Sequence, residues 1–194
     1  MAIKVAINGF GRIGRCTLRA IYEQGLQNEF DVVAINASGD LATNAHLLKY
    51  DTTHGRFRTS VETEGENCIV IDGKKIAFYS TKDPKGVNWA SHGVDILLEC
   101  TGAYTTKAKA AALLEQGAKR VLISAPGGDD VDTTIVMGVN EGDLKAGMTV
   151  VSNASCTTNC LAPVAKILAD NIGIKQGLMT TIHAYTNDQV TVDV

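Results

Sequence analysis

Hydrophobic and polar positions at the start of the chain follow a strand, helix and strand pattern. Ile3, Val5 and Ile7 alternate with other residues as in a strand, and an apolar stripe of helical spacing follows from Ile13 until Gly25, which is a helix stop signal. A short apolar run over 32–35 predicts a second strand. Because these elements fit within about 35 residues, they predict one βαβ unit.

The rest of the chain continues this alternation. Residues 68–71 and 76–79 flank Asp72-Gly73 and predict a hairpin, which we interpret as an excursion from an α/β chain. Further helices are predicted at 41–50 and 105–116, and further strands at 94–100, 120–124, 134–137, 149–152 and 178–185. Continuous apolar strands are typical of parallel sheets covered on both faces. We therefore expect a doubly wound, Rossmann-like α/β domain.

Composition and charge narrow the classes of function. The 194 residues are 45% hydrophobic and carry 18 basic and 21 acidic side chains, for a net charge of -3. Without a basic cluster or a bilayer-length apolar run, we expect neither a nucleic acid nor a membrane partner. The N-terminus has no signal-peptide pattern, and the five cysteines are odd in number and irregularly spaced. We therefore expect a reducing, cytoplasmic location.

A glycine motif joins the first strand to the first helix. Gly9-Phe10-Gly11-Arg12-Ile13-Gly14 has the G-x-G-x-x-G spacing. Gly9 permits a tight turn, Gly11 lets a pyrophosphate approach the backbone, and Gly14 lets the helix pack close to the strand. The helix N-terminus adds free N–H groups for phosphate. A purely structural turn is the alternative, but this context favours a dinucleotide site.

The second strand lacks the acidic residue that usually completes such a site. It ends at Asn36, Ala37 and Ser38 follow, and Asp40 comes too late in the chain to be assigned to the ribose. Ala37 would not repel a 2′-phosphate, and Ser38 could donate a hydrogen bond to one. The residues therefore predict NAD as cofactor with tolerance of NADP, although they do not identify a balancing cation.

One cysteine is placed for reactivity. Ser155 is a candidate N-cap that would put Cys156 in the first helical turn, where the helix dipole favours a thiolate. Cys160 lies one turn further on, and Pro163 should kink the helix. His183 could share a proton with Cys156 if its strand lies beside the helix start. Buried packing is the ordinary alternative for a free cysteine, and C-x-x-x-C spacing is a poor metal motif.

These segments together resemble the glyceraldehyde-3-phosphate dehydrogenase family. The resemblance covers the whole chain, and it is most specific at residues 154–163, with further motifs at 7–15, 46–57 and 181–189. It implies residues 1–155 as a dinucleotide-binding domain and 156–194 as the start of an α+β catalytic domain. It also implies a tetramer, and a family length well beyond Val194. For residues 1–194 alone we expect little or no activity.

The resemblance also implies residue roles. Cys156 matches the nucleophile and His183 the general base, while Ser155, Thr157 and Thr186 match residues that bind substrate or inorganic phosphate. Positions facing the cofactor are Gly9, Phe10, Gly11, Arg12, Ile13, Gly14, Asn36, Ala37, Ser38, Lys82, Thr101, Gly102, Tyr104, Ser124 and Asn187. Ala37 stands where NAD-specific members usually have Asp.

The implied reaction is oxidation of D-glyceraldehyde 3-phosphate to 1,3-bisphosphoglycerate through a thioester on Cys156, with hydride transfer to NAD(P). Three alternatives stay open at this point. They are an erythrose-4-phosphate dehydrogenase, a non-catalytic dinucleotide-binding module and a Cys-His hydrolase. The sequence His183-Ala184-Tyr185-Thr186 favours the triose enzyme over the erythrose-4-phosphate enzyme. A Cys-His hydrolase would have no use for the glycine loop.

Overall fold

The computed structural model describes residues 1–83 and 86–184, in which nine strands form one large sheet and two more form a small ribbon. The strands are β1 Ile3–Asn8, β2 Phe30–Ala37, β3 Tyr50–Asp51, β4 Gly55–Arg56, β5 Val61–Glu64, β6 Cys68–Ile71, β7 Lys74–Ser80, β8 Ile96–Glu99, β9 Val121–Ile123, β10 Thr133–Thr134 and β11 Val150–Ser152. The α-helices are α1 Arg12–Glu23, α2 Leu41–Lys49, α3 Lys107–Glu115 and α4 Cys156–Ile172.

The large sheet has the doubly wound order that the sequence predicts. From edge to edge it runs β10-β11-β9-β8-β1-β2-β7-β6-β5, and the seven strands from β10 to β7 are parallel. The chain builds outward from β1 to β2 and β7, and then returns to β8 on the other side of β1. The direction of winding therefore reverses between β1 and β8, which is where ligands bind in this type of sheet.

Side chains that alternate along β1 divide the interior into two cores. Val5 and Ile7 pack with α1 and α2 on one face of the sheet, whereas Ala6 packs with α3 and Trp89 on the other. Successive side chains of a strand point to opposite faces, so one strand contributes to both cores. The central strands are covered on both sides, as their continuous apolar runs predict.

The hairpin between β6 and β7 is confirmed, but its place in the fold differs from the prediction. Asp72 and Gly73 both have positive φ, at 51° and 75°, as the two-residue I′ turn requires. The hairpin is not an excursion, because β7 pairs in parallel with β2 and continues the main sheet. The antiparallel strands β6 and β5 then extend the sheet to one edge.

Two predicted strands differ in the structure. The strand predicted at 134–137 is only Thr133–Thr134, because the Asn140 side chain accepts the Val136 N–H at 2.8 Å and takes it from the sheet ladder. The strand predicted at 178–185 is wrong for residues 178–184. These residues are exposed and lie beside no other strand in the described part of the chain, so the ladder hydrogen bonds of a strand are lacking.

The last helix, α4, begins where the sequence predicts. The Ser155 hydroxyl oxygen caps it by accepting the Thr158 N–H at 2.9 Å. The helix continues through Pro163 to Ile172, and none of its residues is buried. Among the described helices, none is long and apolar enough to cross a membrane.

Candidate active site

A cleft of about 690 Å³ opens at the carboxyl ends of β1, β2 and β8, where the winding of the sheet reverses. Most of the residues predicted to face a cofactor lie in its wall. They are Gly9, Phe10, Gly11, Arg12, Ile13, Asn36, Ala37, Ser38, Lys82, Thr101 and Tyr104. The fold thus brings together segments that are up to 95 residues apart in the sequence, from Gly9 to Tyr104.

The three motif glycines have different steric surroundings. A Cβ on Gly9, whose φ is +97°, would lie 2.6 Å from the Thr101 nitrogen, and a Cβ on Gly14 would lie 2.2 Å from the Gly9 carbonyl oxygen. A Cβ on Gly11 would meet nothing within 4 Å. Gly9 and Gly14 therefore serve close packing, while Gly11 leaves open space at the N-terminus of α1. This space, with the free N–H groups of the first helical turn, fits a pyrophosphate.

Some predicted cofactor residues lie elsewhere. The Phe10 side chain is buried in the core, although the residue borders the cleft. Gly14 and Gly102 are not in the cleft wall, and Ser124 lines a second cavity. The predicted residues Asn187 and Thr186 lie outside the described residues.

The end of β2 bears on the choice of dinucleotide. Ala37 and Ser38 border the cleft together with Lys82, which the family resemblance implied as a cofactor-facing residue and which is a candidate for the balancing cation. Asp40 caps α2 instead, because its carboxylate accepts the Thr43 N–H at 2.8 Å. The hydrogen bonds from Thr43 lower the pKa of Asp40, which keeps this cap charged.

Arg12 is held by a carboxylate that the sequence analysis did not single out. Its guanidinium forms an ion pair with Asp51 in the β3–β4 ribbon. The His54 N–H, then the Thr53 N–H and the Arg12 charge, lower the pKa of Asp51 to about 2. The ribbon thereby holds the Arg12 side chain, which follows Gly11 in the glycine loop.

A second cavity of about 370 Å³ adjoins the cleft and carries Cys156. The two share Ile13 and Cys100. Apart from Ser124 and the groups near α4, its walls are mainly apolar, from Leu98 and Leu122 among others. A ligand that extends from the cleft into this cavity would reach the Cys156 thiol.

Cys156 and His183 lie together, although no strand carries the histidine. The Cys156 Sγ is 3.2 Å from the His183 Nε2, and the His183 Nδ1 faces the Ala184 carbonyl oxygen. Because that oxygen can only accept, Nδ1 carries a proton, and in the neutral ring Nε2 is the atom that can accept the thiol proton. The hydrogen bond with His183 is the main cause that lowers the pKa of Cys156. The thiol is exposed, so it can react with a ligand.

A strained turn presents Cys156. Ala154 has a positive φ of 59°, which residues other than glycine seldom adopt. The buried Ser152 hydroxyl oxygen accepts the Ala154 N–H at 3.0 Å. The Asn159 amide donates to the Asn153 and Ser155 carbonyl oxygens at 2.7 and 2.9 Å. These supporting side chains were missed, and the polar residues that flank Cys156 were the available signal.

Two further polar residues escaped the sequence analysis. Asn8 and Glu99 end apolar strands at the floor of the cleft, where they are 2% and 1% exposed. The Asn8 amide donates to a Glu99 carboxylate oxygen at 2.5 Å. A polar residue at the end of an otherwise apolar strand could have pointed to both.

Comparison with known proteins identifies the family of the chain. Residues 3–107 match the family described as glyceraldehyde 3-phosphate dehydrogenase, NAD binding domain, and residues 155–194 match its C-terminal domain. The whole chain is 57% identical to the plasmid-encoded glyceraldehyde-3-phosphate dehydrogenase of Cupriavidus necator, and 56% and 51% identical to enzymes of that name from Pseudomonas aeruginosa and Bacillus subtilis. It spans 57%, 58% and 56% of their lengths.

These relatives carry the name of the triose enzyme, so the comparisons do not favour the erythrose-4-phosphate alternative. The matched dinucleotide domain contains the glycine loop, and the second match begins at the residue that caps α4. By these matches, and by its doubly wound sheet, the chain belongs to the glyceraldehyde-3-phosphate dehydrogenase family.

Proposed function

We propose that this protein oxidises D-glyceraldehyde 3-phosphate to 1,3-bisphosphoglycerate, with inorganic phosphate as second substrate. The observation that carries the proposal is the 3.2 Å contact between Cys156 Sγ and His183 Nε2, in a cavity that adjoins the dinucleotide cleft. The names of the relatives agree with this substrate. A tetramer, as the family resemblance implies, is part of the same proposal.

Cys156 is the nucleophile in this scheme. His183 Nε2 first takes the thiol proton, the thiolate attacks the aldehyde carbon, and the imidazolium returns that proton to the carbonyl oxygen to give a hemithioacetal. His183 Nε2 then takes the hydroxyl proton as the carbon loses a hydride. A bound nicotinamide supplies the acceptor of that hydride. The product on Cys156 is a thioester, which inorganic phosphate cleaves to release the acyl phosphate and the thiolate. Ser155 and Thr157, with Thr186, bind the phosphate groups of the substrates.

The dinucleotide cleft is proposed to bind NAD and to tolerate NADP. No carboxylate is in the cleft wall near Ala37 in the described part of the chain, and Ser38 and Lys82 border the same space. We expect the ratio of kcat/KM for NADP to that for NAD to fall in Ala37→Asp, because the carboxylate repels a 2′-phosphate. Lys82→Gln should raise KM for NADP more than for NAD. A strong NAD preference in the unchanged protein would contradict the idea.

Turnover with a matched cysteine pair tests the main proposal. We expect Cys156→Ser to lose at least about 1000-fold in kcat, because a serine hydroxyl is a far weaker nucleophile than a thiolate. Cys160→Ser, one turn further along α4 and also exposed, should keep kcat within a few-fold. Equal losses in both variants, or reduction of NAD without dependence on phosphate, would refute the proposed reaction.

A non-catalytic role is the second candidate for residues 1–194 taken alone. It is favoured by α4, none of whose residues is buried, because in the described part of the chain the nucleophile lies in an open setting that does not exclude water. We expect such a chain to bind the dinucleotide and to show little turnover. Calorimetric binding measured beside the turnover assay distinguishes this outcome from an active enzyme.

A further inference from the structure

A line of hydrogen-bonded polar groups crosses the floor of the dinucleotide cleft. It consists of Glu99, Asn8, Asn36 and Thr81, which we call the polar row, at the carboxyl ends of β8, β1, β2 and β7. Asn8 donates to Glu99 at 2.5 Å, and Asn36 donates to the Asn8 side-chain oxygen at 2.8 Å. Asn36 also donates to the Thr81 carbonyl oxygen at 3.0 Å and accepts the Thr81 N–H at 3.1 Å.

The side-chain amides of Asn36 and Asn8 can form all the hydrogen bonds of the polar row in only one orientation each. The Thr81 backbone offers one donor and one acceptor, so it fixes which end of the Asn36 amide carries the oxygen. Asn36 then presents N–H to Asn8, which must turn its oxygen towards Asn36 and its nitrogen towards Glu99. The group at position 99 must therefore be an acceptor. A carboxylate, which only accepts, meets this requirement.

The second carboxylate oxygen of Glu99 holds the opposite wall of the cleft. It accepts the Thr101 N–H at 2.7 Å and the Thr101 hydroxyl. That hydroxyl in turn accepts the Ala103 N–H at 3.0 Å. Thr101 and Ala103 border the cleft, as do Asn8, Asn36 and Thr81. One side chain thus joins both walls of the site, although it does not itself line the cleft.

Burying the Glu99 carboxylate costs desolvation free energy, so its place in the core is not explained by stability alone. It is 1% exposed, and no ion pair with a cation involves it among residues 1–83 and 86–184. A buried charge without a cation needs hydrogen bonds to offset its desolvation. Three donors surround it, from Asn8 and Thr101. These donors are the groups that shape the cleft.

We propose that Glu99 is a positioning residue for the dinucleotide. Its carboxylate fixes the orientation of the Asn8 and Asn36 amides and of the Thr101 loop before the cofactor arrives, so that binding does not have to order them. The inference rests on the proposed dinucleotide function. It concerns affinity for the cofactor, and it can be measured without turnover.

The test replaces the Glu99 carboxylate, which only accepts hydrogen bonds, with an amide that also donates them. In Glu99→Gln, the new amide NH₂ must face a donor, either the Asn8 amide or the Thr101 N–H. We expect the Kd for NAD⁺, measured by calorimetry, to rise about 10-fold to 100-fold, as for a buried donor left without an acceptor. Glu62→Gln, on the exposed edge strand β5, is the matched control and should leave the Kd unchanged.

A transposed pair separates positioning from mere structural support. In the double variant Asn8→Asp with Glu99→Gln, the new amide at position 99 can donate to one oxygen of the new carboxylate at position 8. Asn36 then donates to the other oxygen of that carboxylate, and the amide oxygen at position 99 still accepts from Thr101. The carboxylate has moved by one place, but every hydrogen bond of the polar row is restored. We expect this variant to regain a Kd within about threefold of the unchanged protein.

The outcomes are distinguishable. If the unchanged protein binds neither NAD⁺ nor NADP⁺, the proposed dinucleotide function fails and this inference falls with it. If it binds but Glu99→Gln binds equally well, the inference alone is overturned. If Glu99→Gln does not fold, the transposed pair decides, because a folded pair that binds NAD⁺ more than about threefold weaker than the unchanged protein overturns the positioning role.

Discussion

The sheet and α4, the helix that carries Cys156, differ most in what surrounds them. Leu18 and Ile35, in the sheet region, are fully buried, whereas Leu168 and Ile172 on α4 are 43% and 78% exposed. The dinucleotide cleft therefore lies over a packed sheet, at the carboxyl ends of β1, β2 and β8. The Cys156–His183 pair is formed by one capped turn and one exposed segment. The proposed cofactor binding and the proposed nucleophilic chemistry thus depend on regions of very different packing.

The largest expected effect concerns this difference in burial. Leu18→Ala should lower the free energy of unfolding by about 2–5 kcal/mol, because it leaves a cavity in the core. Leu168→Ala on α4 is the matched control, and we expect a change within about 0.5 kcal/mol. Urea unfolding of both variants measures the pair. A cost at Leu168 as large as that at Leu18 would show that α4 is covered in solution and would break the comparison.

The glycine loop allows stability and binding to be separated within the sheet region. Gly14→Ala places a Cβ 2.2 Å from the Gly9 carbonyl oxygen, and the backbone shift it forces should cost about 1–3 kcal/mol of unfolding free energy. Gly11→Ala should cost less than about 1 kcal/mol, but its Cβ enters the space that fits the pyrophosphate.

Thermal unfolding and calorimetric titration with NAD⁺ give the two readouts for these glycine variants. We expect Gly11→Ala to raise the Kd about tenfold or more with little change in the unfolding midpoint. An unchanged Kd in this variant would mean that no phosphate approaches the loop there.

The smallest effect concerns the thiol. His183 lowers the pKa of Cys156, and a lowered thiol pKa means that more thiolate is present at neutral pH. In a Cys160→Ser background, the alkylation rate of Cys156 should rise with pH to a midpoint below 9, the ordinary value of the thiol. His183→Gln should move the midpoint upward and slow alkylation at pH 7 several-fold.

Mass spectrometry of the peptide that contains Cys156 follows this reaction without interference from the other thiols. An identical pH profile with and without the His183 side chain would show that the contact does not persist in solution. The loose packing around α4 would then also leave Cys156 without the histidine that lowers its pKa.

The sequence predicted the parts of the fold that local patterns determine. Apolar periodicity and turn residues placed α1, α2 and the Asp72-Gly73 turn, and continuous apolar runs indicated the parallel sheet. The pairing of β7 with β2 was missed, because a hairpin pattern does not say which strand it will join. The strand at 178–185 was wrong for its described part, because a strand pattern in the sequence does not supply the neighbour that a strand needs.

The site divides in the same way. Gly11, Cys156 and the Ser155 cap follow from short-range chemistry. Glu99 and Asp51 were missed, since their importance arises from partners about 40 or more positions away in the chain, at Asn8 and Arg12 respectively. Lys82 was predicted only from the family resemblance. The structure shows that it borders the same cleft as Ala37 and Ser38.

The order of the strands also has a consequence for how the protein behaves at high concentration. The sheet ends at β5 on one side and at the two-residue β10 on the other. Glu62 and Glu64 are exposed along β5, and Glu64 pairs with Lys75. Short, charged edge strands resist the addition of a strand from another molecule. Aggregation by extension of this sheet from its edges is therefore disfavoured.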